Sequence, residues 1–102
     1  MILETAILNV RPGHESAFEA AFTSASPLIA ATPGYDSHQL YGCLETSGRY
    51  LLVVRWETLE AHTVSFRGSP NYQEWKRLLH HFYDPFPTVE HYESVLEWPQ
   101  RF

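Results

Sequence analysis

Six histidines, at positions 14, 38, 62, 80, 81 and 91, are the side chains of this 102-residue sequence best suited to moving a proton near neutral pH. His62 draws attention first. It lies in the stretch TLEAHTVSF, four residues before Phe66 and six after Trp56. On a helix that spacing turns His62 and Phe66 to one side, toward the end of the strand that carries Trp56. A histidine so placed can act as a base or hydrogen-bond donor in an aromatic pocket. A histidine on a helix surface has the same spacing, and the sequence alone does not separate the two. His38 falls in a strand-like segment and faces either a pocket or, as is commoner, an interface or solvent. His80 and His81 are adjacent, so on a helix they point about 100° apart and one of them at most faces inward. His91 sits in the last strand between Glu90 and Tyr92.

Other chemistry is weakly indicated. Arg67 and Tyr72 flank the break Gly68-Ser69-Pro70. Arg67 suits either an anionic substrate group at a pocket mouth or a helix-end carbonyl. Trp75 and Phe82 share an inward helical stripe and read as core. The histidines lack the i, i+4 or compact His/Cys grouping of zinc sites, so no metal is expected. Cys43 is the one cysteine, which excludes an internal disulfide. It reads as a small buried residue rather than a nucleophile.

The elements that must position these residues can be read in order. Residues 2–11 alternate with apolar residues on both parities, a strand covered on both faces, and Pro12-Gly13 ends it. Phe18, Ala21, Phe22, Ala25, Leu28 and Ile29 mark a helix over 14–31. Pro27 should kink that helix or split off its last turn. A second strand spans 35–45, and RYLLVVRW at 49–56 is the strongest strand signal in the chain. Thr46-Ser47-Gly48 joins the two as a hairpin. The helical stretch after Trp56 gives way to a fresh helix start at Ser69-Pro70, where Ser can cap and Pro fits the first position. Residues 88–96 form the last strand. One domain over 1–96 and an arm over 97–102 are expected.

The order β-α-β-β-α-β predicts an α+β, ferredoxin-like domain with a four-stranded antiparallel sheet and both helices on one face. The strand 49–56 carries apolar residues on both sides, Leu51 and Val53 opposing Tyr50, Leu52, Val54 and Trp56. The face without helices therefore needs cover. A second copy of the chain is the simplest, giving a homodimer; the aromatic C-terminus folded over the sheet is the alternative. A net charge of −5 with no basic cluster argues against nucleic acid and anionic membrane surfaces as partners. No apolar run approaches the roughly 18 residues of a membrane span. The N-terminus lacks signal-peptide features, and a single thiol fits a reducing compartment, so a cytoplasmic location is expected.

With Pro12-Gly13 closing strand one, Pro33-Gly34-Tyr35 opening strand two, RWETLEAHTVSFRGSPNY at 55–72 and DPFPTVEHYESV at 84–95, the chain resembles the antibiotic biosynthesis monooxygenase family of the dimeric α+β barrels. The resemblance runs over residues 1–96. It implies subunits paired sheet to sheet, each with a pocket between its sheet and helices. It implies, for some members, oxidation of phenols or quinols by O₂ without metal or flavin. Trp56 matches the Trp that oxygenase members place at the end of strand three. His62 stands where they carry a Tyr, and Leu52 where they carry an Asn. Members that degrade haem need an Asn, a Trp and a His where this chain has Ala6, Ser65 and about Lys76, so no haem is expected.

The expectation is a cofactor-independent monooxygenase for a small aromatic phenol or quinol. His62 and Trp56 are its catalytic candidates. Phe66, Arg67, Tyr72, His38 and Leu52 are its substrate-binding candidates. The alternative is a non-catalytic dimeric domain that binds a small ligand or serves as an accessory.

Overall fold

A computed structural model describes residues 1–100. Residues 101 and 102, the end of the expected arm, lie outside the described residues. Four strands form one antiparallel sheet in the order β2-β3-β1-β4: β1 (Ile2–Asn9), β2 (Tyr35–Gly42), β3 (Arg49–Trp56) and β4 (Val89–Glu93). Two α-helices, α1 (Glu15–Ala30) and α2 (Pro70–Leu79), pack on one face. This is the ferredoxin-like α+β plan expected from the element order.

Register decides which side chains share the helix-covered face. Ile2, Glu4, Ala6 and Leu8 of β1 pair with Trp56, Val54, Leu52 and Tyr50 of β3. On the other side of β1, Glu4 pairs with His91 and Ala6 with Val89. Because side chains alternate along a strand, these residues all point toward the helices. Phe18, Phe22, Ala25 and Ile29 of α1 and Trp75 and Leu79 of α2 complete the core. The opposite face carries Leu3, Ile7, Leu51, Tyr41 and Tyr92 with no helix over it. Ile7 is 54% exposed and Tyr92 50%.

Three details refine or depart from the sequence reading. α1 continues past Pro27 to Ala30, so of the two expected outcomes its last turn is not split off. Phe22, Ala25 and Ile29 stay buried on both sides of the proline, and their burial, at about 1.5–3 kcal/mol for a large apolar side chain, outweighs the roughly 3 kcal/mol a proline costs. The stretch after Trp56 is a π-helix, Ala61–Phe66, in which the Arg67 amide donates to the His62 carbonyl five residues back. Gly68 permits the tight exit from this wider turn: a Cβ there would stand 2.7 Å from the Val64 carbonyl oxygen. β4 is also shorter than expected, and Val95, Leu96 and Trp98 are exposed rather than folded across the sheet.

Ser69 caps α2, its hydroxyl accepting from the Tyr72 amide at 3.2 Å and donating to the Phe66 carbonyl at 2.6 Å. A single serine thus fixes α2 relative to the π-helix. After α2, a short 3-10 turn, His80–Phe82, leads into a loop held against the end of β1. The Arg11 amide donates to the Phe82 carbonyl at 3.0 Å and the Asp84 amide to the Asn9 carbonyl at 2.8 Å.

Candidate functional site

Between the inner sheet face, the π-helix, α2 and the loop after it lies a cavity of about 280 Å³. Its apolar wall includes Leu52 from β3, Phe66 from the π-helix, Tyr72 and Trp75 from α2, and Tyr83 and Phe86 from the loop. Phe66 packs edge-on against both Tyr72 and Trp75, with ring centroids 5.2 and 5.6 Å away. Glu4 and His62 form a polar end, and the exposed Arg67 borders the opening.

At the polar end four side chains from four elements meet. Trp56 Nε1 donates to Glu4 Oε1 at 2.9 Å. His62 Nε2 lies 3.4 Å from the same oxygen. His62 Nδ1 lies 2.8 Å from His91 Nε2, one ring donating and the other accepting according to tautomer. The Trp56 ring stacks on His62 with centroids 5.3 Å apart and planes 20° apart. The β1–β4 pairing of Glu4 with His91 sets these two side by side, and the Trp56 indole reaches Glu4 diagonally from the next strand.

Burial governs the charges. Glu4 and His62 are 5% and 3% exposed. Burial raises the Glu4 carboxyl above its ordinary range, against the opposing effects of the Trp56 hydrogen bond and the Arg67 charge. His62 is pushed down to about 3, first by burial and then by the charges of Arg67 and His91. A carboxylate 3.4 Å away ordinarily favours the imidazolium, but here loss of hydration prevails and His62 is neutral. His91, half-buried on the edge strand β4, is lowered as well, by burial and then by Arg67.

The structure gathers most of the residues singled out from sequence. His62, Phe66, Arg67, Tyr72 and Leu52 all line the one cavity. Trp56 is fully buried behind His62 and does not reach the cavity wall. Its indole N–H is spent on Glu4, and that bond is its link to the cavity lining.

His38 lies apart. Its Nδ1 is 2.6 Å from the Tyr35 hydroxyl and its Nε2 is 2.9 Å from Ser26 Oγ of α1, so both nitrogens are occupied. His38, expected as a substrate contact, is thus not among the residues lining this cavity; it sits near the bulged start of β2 with local partners on both ring nitrogens. His80 lines the cavity and His81 is exposed, the split that adjacency requires.

Glu4 went unnoticed in the sequence reading. Its signal was available: it is an acidic residue on the same parity as Ile2, Ala6, Leu8 and Val10, the parity that faces the helices. A buried carboxylate in such a row calls for polar company. Among the described residues, no group of three or more His, Cys, Asp or Glu side chains is arranged to hold a metal ion.

Comparison with known proteins agrees with this geometry. The chain matches the family model for antibiotic biosynthesis monooxygenase over residues 1–78. It is 55% identical over 95 residues to the uncharacterized Bacillus subtilis protein YczJ, covering 93% of this chain and 100% of that one. It superposes with a TM-score of 0.88 on a Bordetella bronchiseptica protein described provisionally as an antibiotic biosynthesis monooxygenase. The two are 40% identical, with 93% of this chain and 97% of the other covered. SnoaB, a cofactor-independent oxygenase from Streptomyces nogalater, shares the fold at a TM-score of 0.78 and 19% identity over 97% of each chain. The matched segment carries β1 through β3, the π-helix and nearly all of α2, which together supply Glu4, Trp56 and His62 of the polar end and most of the cavity wall, and the chain belongs to the antibiotic biosynthesis monooxygenase family.

Proposed function

We propose that the protein is a cofactor-independent monooxygenase that oxidises a small aromatic phenol or quinol in the cavity beneath its sheet, and that it works as a homodimer. One observation carries the reading: a cavity of about 280 Å³ with aromatic walls and a buried carboxyl–imidazole end. That volume is near the lower limit for small-molecule sites and suits one or two fused rings. Phe66, Tyr72 and Leu52 offer apolar surface to a flat ring, and the polar end offers partners to its hydroxyl group.

The chemistry needs little more. A phenol that loses its proton becomes an electron-rich anion able to reduce O₂. One oxygen atom bonds to a ring carbon and ends as a carbonyl, or as a ring hydroxyl where a quinol is oxidised to its quinone. The other leaves as water with the two displaced hydrogens. All four electrons come from the substrate, so no external reductant is required. A dry pocket keeps the anion reactive. Arg67 at the opening balances its charge, and His62, neutral and fixed by Trp56 and His91, serves as a hydrogen-bond donor that holds the polar end in place.

Oxygen uptake with a panel of hydroquinones and anthrones tests the proposal. Wild-type protein should consume O₂ above the autoxidation background for at least one of them. His62→Ala should lower that rate by about tenfold or more, the worth of a hydrogen bond of about 1.4 kcal/mol in the transition state. Uptake at background across the whole panel would sink the reading.

A further inference from the structure

The polar end contains two groups that could take a phenol's proton, and their contacts tell them apart. His62 has no nitrogen to spare: Nδ1 meets His91 and Nε2 faces Glu4 Oε1. Glu4 is different. Both neighbours, Trp56 Nε1 and His62 Nε2, approach the same oxygen, Oε1. Oε2 has no hydrogen-bond partner among the described residues. Yet no fully buried side-chain oxygen or nitrogen there lacks one, so Oε2 must border open space. The space that Glu4 lines is the cavity.

We infer that Glu4 is the catalytic base, its Oε2 taking the hydroxyl proton of a phenol bound in the cavity, with His62 and His91 as positioning residues behind it. This rests on the reading of the cavity as a phenol site. The substrate O–H bond breaks, an O–H bond forms on Glu4 Oε2, and the electron pair stays on the phenolate oxygen. No charge is created in the cavity by this step; a carboxylate is exchanged for a phenolate. Burial makes that exchange easier, because it has already raised the proton affinity of the carboxyl. Arg67 lies near enough for its charge to act on Glu4, and its guanidinium, with no carboxylate or carbonyl bonded to it among the described residues, remains available to the new anion.

The test uses 4-nitrophenol, whose absorbance separates phenol from phenolate, below the pH at which the free probe ionises. Bound to wild-type protein, the probe should show the phenolate band. Bound to Glu4→Gln, which keeps an acceptor for Trp56, it should remain a neutral phenol. An infrared difference spectrum of wild type alone should gain a protonated-carboxyl band as the probe binds, so the assignment stays testable even if the variant does not fold. No binding by wild type, no such infrared band, or equal ionisation in wild type and variant would overturn the assignment.

Oxygen uptake is read separately. A wild type that ionises the probe but consumes no O₂ with the hydroquinone and anthrone panel keeps Glu4 as the base and refutes the oxygenase reading. Where turnover occurs, Glu4→Gln should lower kcat by about a hundredfold or more. The loss should shrink for phenols already ionised at the assay pH. An equal loss on ionised and neutral phenols would make Glu4 a structural residue only.

Discussion

At the scale of single residues, the polar end predicts how stability depends on acidity. His62 titrates near 6.5 when unfolded and is depressed to about 3 when folded. Between those values the unfolded chain binds more protons, so the stability present above pH 6.5 is lost as pH falls toward 3. Each unit across the window costs up to about 1.4 kcal/mol from this residue. His38, His80 and His91 are lowered too and act in the same direction. The groups facing His62 are Glu4 on β1, His91 on β4 and Arg67 after the π-helix. Glu4, raised by burial, has the opposite sign: its folded form holds a proton longer, so its contribution declines as pH rises above 4.5 through the folded value. Urea unfolding between pH 6.5 and 4 should show falling stability in wild type and a shallower fall in His62→Gln; equal slopes would contradict the buried neutral imidazole. Much of this site was legible in sequence, because the His62–Phe66 spacing and the strand-end Trp56 pointed at one place. Glu4 was not, since a lone acid in an alternating strand acquires meaning only when the parity facing the helices is known. The place of His38 outside this cavity was not legible, because side-chain partners such as Ser26, twelve residues away, leave no mark in local spacing.

At the scale of elements, two junctions hold the site in shape. Gly34 has a φ of +89° at the entrance to β2, and a Cβ there would stand 2.7 Å from Ala61 Cβ, at the start of the π-helix that carries His62. Gly34→Ala should therefore destabilise the fold by about 2–5 kcal/mol, combining backbone strain with overpacking. A thermal or urea midpoint within error of wild type would contradict that packing. Ser69→Ala removes the α2 cap and should cost about 1 kcal/mol by the same measurement. It should also loosen Tyr72 and Trp75 around the cavity, which near-ultraviolet circular dichroism would register. The strand order and the helix start at Ser69-Pro70 could be read from alternation and capping chemistry. The π-helix could not: its apolar spacing matches an α-helix, and only the Arg67–His62 amide bond and the Gly68 close approach distinguish it. Pro27 likewise sets a local cost, while the burial that overcomes it is tertiary.

At the scale of the molecule, the sheet face without helices is the feature that asks for a second copy. Ile7 and Leu51 are paired in register at its middle, and with Tyr41 and Tyr92 they are 39–54% exposed in the single chain. Among the described residues the C-terminal segment leaves them open, and its own Leu96 and Trp98 are 78% and 76% exposed. Two such faces packed together would form the homodimer proposed above. Leu51→Glu should shift the protein toward monomer in sedimentation equilibrium, weakening association by about thirtyfold or more, as expected for a central hot-spot residue worth about 2 kcal/mol. A wild type that sediments as a monomer would refute the pairing and leave the cavity chemistry to be judged alone. The cavity chemistry is the central claim, and isotope labelling reaches it most directly. Protein freed of metal and flavin is given ¹⁸O₂ and a hydroquinone or anthrone that supports oxygen uptake. The account predicts one ¹⁸O atom on the newly oxygenated ring carbon of the product, as carbonyl from an anthrone or hydroxyl from a hydroquinone, and the other in water, whereas product whose new oxygen comes from solvent, or no product above background, would contradict it.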